Sequence, residues 1–296
     1  SPLYIACKNG HVDAARLLLD NGAEVDRADW ADKTPLWAAC KFGHIEAALL
    51  LLEKGAEVDR ARKNGRTPLY IACEKGHVAV ATLLLDNGAA VDRTVEKGQW
   101  KGAMPLLVAC YEGHIDAARL CLDRGADINL AADDGGTALL SACEKGHVDV
   151  ARLMLDKGAE IDQAYKGGAT SLYIACQNGH VDAARLLLDE GAEVDRAKEN
   201  GATPLFIACQ KGHIDAARLL LDKGADVNKA DEDGETPLAF ACWKGQVDAA
   251  RLLLDKGAEV DRADEDGETP LHVACHNGHV DVVRLLLERG GENRAD

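Results

Sequence analysis

The sequence repeats itself about every 33 residues, and that period constrains the fold more than any other feature. The block Pro-Leu-x-x-Ala-Cys-x-x-Gly-His marks the copies. Its first residue falls at Pro2, Pro35, Pro68, Pro105, Ala138, Ser171, Pro204, Pro237 and Pro270. Seven of the eight intervals are 33 residues, and the other, Pro68 to Pro105, is 37. A period of this size marks a small unit that buries its apolar face only by stacking on its neighbours. The 296 residues therefore read as one array of nine repeats: 1–28, 29–61, 62–94, 95–131, 132–164, 165–197, 198–230, 231–263 and 264–296.

The stretch Lys198–Ala230 shows what one unit does. Thr203 is a good N-cap, because its hydroxyl can accept an orphan N–H of the first helical turn. Pro204 suits the first helical position, where a missing N–H costs nothing. Leu205–Lys211 then reads as a short inner helix, stopped by Gly212. A second helix is predicted from Ile214 to Lys223, with Ile214, Ala217, Leu220 and Leu221 on its buried face. Asp215 and Arg218 fall three apart on the other face, where they can pair weakly. Val227 is the last apolar residue expected to be buried before a polar turn containing Gly234. Helices this short are not stable alone.

The 33-residue period and the Thr-Pro-Leu-x-x-Ala pattern of Thr203–Ala208 resemble the ankyrin repeat over the whole chain. The resemblance implies an all-α solenoid of helix–turn–helix units joined by β-turn fingers. In the family, inner helices and fingers line a concave face that binds proteins. It also implies that the histidine of the Gly-His step has a structural hydrogen-bonding role. In the family the aromatic position of the inner helix is usually His, which only His272 keeps here.

No apolar run approaches the roughly 20 residues needed to span a membrane, and no signal peptide or basic tail is evident. The chain opens inside a repeat at Ser1-Pro2-Leu3, which suggests a fragment or a trimmed chain whose first stacking face lacks a cap. At the other end Asn293 replaces the Val or Ile of earlier copies, as the end of an apolar stripe requires. The net charge is −16, unevenly spread: residues 1–131 hold 16 basic and 18 acidic residues, and residues 132–296 hold 18 and 32. This balance argues against nucleic acid as a partner, which needs a basic footprint.

Nine of the ten cysteines share one repeat position, from Cys7 to Cys275, and eight histidines follow four residues later, with Gln246 the exception. A spacing repeated in copy after copy indicates framework rather than a metal site, and free cysteine packs as a small apolar residue. Equivalent cysteines one repeat apart are about 8–10 Å from each other, too far for a disulfide. A reducing, intracellular and cytoplasmic setting follows. No catalytic constellation, phosphate-binding loop or cofactor site is present in the sequence; Ser141 and Ser171 are framework substitutions.

Departures from the repeat carry the functional information. Trp30 and Phe42 in repeat 2 stand where repeat 8 has Glu232 and Lys244. Asp32 takes a glycine position. Trp37 occupies the place of Tyr4, Tyr70, Tyr173 and Phe206, and reads as framework. Leu49, Ala79 and Thr82 strip charge from the outer helices of repeats 2 and 3. Repeat 4 carries the insertion, within Val95–Met104, which sets Trp100 on a lengthened turn and replaces the N-cap Thr by Met104. Tyr111 then takes the position of Glu74 and Glu144. Cys121 and Met154 replace Leu at one outer-helix position in repeats 4 and 5, and are expected to stack on each other. Repeats 6 and 7 are polar on the inner side, with Gln177, Asn178, Gln210 and Lys211. Trp243 in repeat 8 is flanked by Lys244.

These residues predict a non-catalytic scaffold, monomeric and without cofactor or metal, that binds a protein or peptide on its concave face. The main site is expected in repeats 2–4, with Trp30, Phe42, Trp100 and Tyr111 as anchors. Lys33, Lys41, Lys63, Arg66 and Lys75 surround them and favour an acidic or C-terminal-carboxylate-bearing partner. Trp243, with the acidic turns Asp231–Asp233 and Asp264–Asp266, suits a basic segment. Two rival readings remain. The array could be a spacer that positions fused domains, or, by the family resemblance, a substrate for hydroxylation at Asn129 and Asn228.

Overall fold

The computed structural model describes the backbone of residues 1–292 and the side chains of residues 1–290. The predicted role of Asn293 lies outside the described residues. Among those residues there are eighteen helices in nine pairs and no strand. The chain divides into two compact units. One comprises Ser1–Ala142 with Asp149–Glu160, and the other comprises residues 143–148 and the chain from Ile161 onward.

In the first unit the helix pairs are Pro2–Lys8 with Val12–Asp20, Pro35–Phe42 with Ile45–Glu53, Pro68–Glu74 with Val78–Asp86, and Pro105–Tyr111 with Ile115–Asp123. Ala138–Lys145 opens the next pair, whose second helix is Val148–Asp156. As far as Pro105–Tyr111 and Ile115–Asp123, first helices pack on first helices of the adjacent repeat, and second helices on second helices. Each first helix starts as its sequence requires. The buried Thr34 and Thr67 hydroxyls accept the N–H groups of Trp37 and Tyr70, each at 3.1 Å. Met104 has no such acceptor. There the lengthened turn closes on itself instead, with Val95 N–H to Ala103 O and Gly102 N–H to Val95 O, both 2.8 Å. Asp32 takes φ 55°, as expected for Asp in a glycine position.

Three kinds of polar contact recur between a repeat and the one before it, although Asn87 and Glu190 replace the basic residue of the third and Gln246 the histidine of the first. His44 and His77 donate Nε2–H to the carbonyls of Lys8 and Lys41 at 3.1 and 3.2 Å, which confirms the structural role of these histidines. The imidazole lies so close to the preceding turn that a Cβ on Gly43 would come within 2.8 Å of His77 Nδ1, at a φ of +76°. The second contact is a carboxylate. Asp26, Asp59 and Asp92 each accept, through Oδ2, the backbone N–H of Glu57, Ala90 and Asp127 in the next repeat. Asn129 does the same for Glu160 at 2.9 Å. The third is an ion pair between the ends of successive second helices, as in Lys54–Asp20 at 2.8 Å and Arg124–Asp86 at 2.9 Å.

The second unit repeats this scheme. Its pairs are Ser171–Gln177 with Val181–Asp189, Pro204–Lys211 with Ile214–Asp222, Pro237–Trp243 with Val247–Asp255, and Pro270–His276 with Val280–Glu292. Thr203 and Gly212 act as predicted: Thr203 accepts from Phe206 N at 3.2 Å, and Gly212 ends the helix at φ 74°. His272 completes a capping box, with its Nδ1 accepting the Thr269 N–H at 3.2 Å.

Several details differ from the sequence reading. The buried face of Ile214–Asp222 is Ala216, Ala217, Leu219 and Leu220, whereas Ile214, Leu221 and Val227 are half-buried. The helix packs against its own partner and against two neighbours, so its apolar stripe is wider and turned from the single-face estimate. Its acidic end pairs from repeat to repeat, Asp222 with Lys256 at 2.8 Å, a contact that the Asp215–Arg218 spacing did not reveal. Cys121 and Met154 each also reach the first-helix cysteine of the preceding repeat. Cys121 Sγ lies 3.7 Å from Cys73 Sγ, and Met154 Sδ lies 3.7 Å from Cys110 Sγ.

Nine of the ten cysteines are buried and free, and Cys275 is exposed. Burial pushes the thiols of Cys7, Cys143, Cys209 and Cys242 up to about 12, which leaves little thiolate at neutral pH. One thiol per native chain, Cys275, should therefore react quickly with a disulfide reagent. All ten should react in denaturant; several rapid native equivalents would contradict this burial. For the carboxylate contact, Asp59→Ala should cost about 1–3 kcal/mol. Asp59→Asn, which keeps an acceptor as Asn129 does, should stay within about 0.5 kcal/mol of the parent. Melting the two variants side by side checks the order.

Candidate functional site

The first unit gathers cations around the aromatic residues of repeats 1–3. Trp30 sits in the turn before helix Pro35–Phe42 and is 88% exposed; Phe42 ends that helix and is 40% exposed. Lys33 Nζ lies 5.9 Å from the ring centroids of both Trp30 and Trp37. Lys41 Nζ is 5.6 Å from Trp37 and 5.4 Å from Phe42, and Lys8 Nζ is 5.7 Å from Phe42 on the other side of the repeat boundary. The Arg62 guanidinium, from the next turn, is 4.8 Å from Trp37. Asp29 is the carboxylate of this patch. Against the desolvation that would raise it, backbone N–H bonds from Lys33 and Ala31 and the charges of Lys33 and Arg62 hold its carboxyl below the usual range.

The other expected members lie differently. Arg66 and Lys75 share one partner, Glu74, at 3.1 and 3.0 Å. One carboxylate thus offsets one of the two positive charges that these residues bring to the predicted surround. Arg66 also stacks over Tyr70 at 5.1 Å. Lys63 is exposed and lines an open cleft of about 760 Å³ with Asp32, Asp59, Arg93 and Glu96, where both signs of charge alternate. Trp100 packs edge-on against Tyr111, with centroids 4.7 Å apart and planes at 84°. The insertion thus folds its tryptophan onto the helix it precedes. Lys101 pairs with Asp133 at 2.5 Å, which ties the lengthened turn to the next one.

The second unit holds Trp243, 40% exposed. The Lys244 ammonium lies 3.7 Å from its ring centroid. Phe240 meets Trp243 edge-on at 5.0 Å and Phe206 at 4.4 Å, so Trp243 is the outer end of an aromatic row. The turns beside it are acidic. Burial first, and then the charges of Asp231, Asp264, Asp233 and Glu268, hold the Glu235 carboxyl above its usual value.

Sequence reasoning missed Lys8, Arg62 and Phe240, and it assigned Trp37 to the framework. Trp37 is indeed buried, 2% exposed, but its ring is the surface over which Lys33, Lys41 and Arg62 meet. The available signal was that Lys8 and Lys41 hold one repeat position in consecutive copies, where later copies carry Glu74, Tyr111 or Gln177.

Among the described residues, no group of three or more His, Cys, Asp or Glu side chains is placed to hold a metal ion, and no helix is long and apolar enough to cross a membrane. Profiles of the family described as ankyrin repeats (3 copies) match residues 1–62, 31–95, 92–165, 158–231 and 226–296. The chain belongs to the ankyrin repeat family, whose members generally mediate protein–protein interaction. The crystal structure of the human ASB11 ankyrin repeat domain is similar, with a TM-score of 0.70 and 30% identity over 76% of this chain and 99% of that one. No curated protein sequence matches the chain. The likeness extends to 587 solved chains, so the fold alone cannot discriminate among partners.

The raised carboxyl of Glu235 makes a signed prediction. A folded acid whose pKa lies above its unfolded value lowers stability above that folded pKa, and the penalty disappears as pH falls into the ordinary carboxylate range of about 4. Glu235→Gln should therefore melt higher than the parent at pH 7, with the difference shrinking to nothing near pH 4. Melting curves at the two pH values test it; a constant difference would mean the gain is not electrostatic.

Proposed function

We propose that the chain is a non-catalytic scaffold that binds a protein or peptide on the concave face of its repeats, with the main site in repeats 2–4. The supporting observation is the exposure of Trp30, 88%, beside an exposed Phe42. A tryptophan this exposed adds little to the core, and aromatic side chains on an otherwise polar surface are favoured contact residues. Trp100 and Tyr111 form a second contact element in this reading, although the edge of one ring is spent on the face of the other. Trp243 with the acidic turns of the second unit is a further surface, suited to a basic segment. The partner is a protein rather than nucleic acid, and the site needs no cofactor.

A spacer role is the second reading. The sequence VDAARLLLD is identical in helices Val12–Asp20, Val181–Asp189 and Val247–Asp255, and uniform outer faces suit a passive array. One comparison separates the two readings. Proximity labelling in a cytosolic extract, with the intact chain and with a Trp30→Ala/Phe42→Ala variant, should lose specific partners only in the variant. Its melting temperature should barely move, because exposed substitutions rarely exceed about 0.5 kcal/mol. Identical partner sets would move the site to Trp243; empty sets from both would favour the spacer.

A further inference from the structure

Four cations meet on three rings in the first unit, and the fold makes little use of them. Lys33, Lys41 and Arg62 lie within 5.9 Å of the Trp37 ring centroid, and Lys8 and Lys41 flank Phe42. Among the described residues, Lys33 alone of these four has a carboxylate at ion-pair distance, Asp29 at 4.0 Å. Its Oδ1 accepts the N–H groups of Ala31 and Lys33 and its Oδ2 faces the Lys33 ammonium, so one carboxylate stands against four cations. The patch thus combines crowded positive charge and two exposed aromatic faces, in a chain whose net charge is −16. Like charges around one ring repel, and cation–π contacts at exposed sites are individually weak. What complements the patch is an acceptor-rich, negatively charged group.

We propose that this patch seats an extended acidic peptide segment of another protein, with its carboxylates among Lys8, Lys33, Lys41 and Arg62 and its apolar side chains on Trp30 and Phe42. The proposal rests on the interaction reading above and adds the partner's chemistry. Spacing supports it. Lys8 and Lys41 occupy one position in consecutive repeats, and packed helices are about 8–10 Å apart. A polyproline-II segment returns to the same side every three residues, after about 9 Å. Carboxylates at every third position therefore match the step from one repeat to the next.

The test uses the whole chain. A fluorescent peptide of about 12 residues with Glu at every third position, and its Gln counterpart, are titrated by anisotropy at about 50 and about 300 mM salt. The Glu peptide should bind, and the Gln peptide should bind at least roughly tenfold more weakly. The Lys8→Gln/Lys41→Gln variant, checked for an unchanged circular dichroism spectrum, should lose at least roughly tenfold, and added salt should weaken the parent in the same direction. Equal binding of both peptides, unchanged binding by the variant, or no binding at all overturns the proposal. Tighter binding of a single-stranded oligonucleotide through the same lysines, or salt-sensitive dimers of this chain in sedimentation, also overturns it, in favour of those partners. If the Glu peptide fails while Trp30→Ala/Phe42→Ala still loses its partners in extract, the acidic chemistry alone is wrong. If that variant keeps its partners, the interaction reading fails with it.

Discussion

Each repeat of this protein leaves polar groups that only the next repeat satisfies, and the fold depends on that dependence. The carbonyl of Lys8 is met by His44, and that of Lys41 by His77. The N–H of Glu57 is met by Asp26, and that of Ala90 by Asp59. A pair of helices of seven to nine residues cannot hold itself together. It gains stability by burying its small residues, among them Ala47, Ala48, Ala81 and the cysteines of the row as far as Cys242, against the neighbouring copy. The hydrogen bonds then set the register of the stack, because each is directional and forms only when one repeat sits at a fixed step from the last. Apolar stacking supplies most of the energy, and the His and Asp contacts decide its geometry.

That division of labour explains which positions are free to vary. Inner-helix Ala and Cys, capping Thr and turn Gly are held by close packing or by backbone conformation. The last residues of the first helix and the tips of the turns face outward, and they differ most from copy to copy. Lys8, Lys41, Glu74, Tyr111 and Trp243 all occupy one such position. Function in an array of this kind is written where stacking imposes nothing, so its chemistry can change along the chain while the scaffold stays uniform.

The local charge balance shows how neighbours alter a residue's meaning. Arg66 and Lys33 hold the same place in successive repeats. Arg66 is occupied by Glu74 at 3.1 Å, whereas Lys33 stands over two tryptophans with Asp29 4.0 Å away. One acidic residue eight positions later in the same repeat makes the difference. In the second unit the equivalent Glu235 is surrounded by other carboxylates, and its ionisation is opposed by them after burial. A single framework position thus serves as an ion-pair partner, a ring-facing cation and a strained acid.

The period, the helix pairs, their caps and the structural place of the Cys and His rows were legible in the sequence, because each rests on local rules: an N-cap hydroxyl, a proline at the first helical position, a glycine with positive φ. The exposure of Trp30 and Phe42 was legible too, since both stand where other copies are polar. What the tertiary structure alone decided is which side chains meet across a repeat boundary. The Lys54–Asp20 ion pair and the Cys121–Cys73 sulfur contact join residues 34 and 48 apart. The convergence of Lys41 and Arg62 on the Trp37 ring joins two repeats in the same way. A repeat pattern states what each position is, but a contact depends on the rise and rotation from one copy to the next, and those are set by packing rather than by the local sequence.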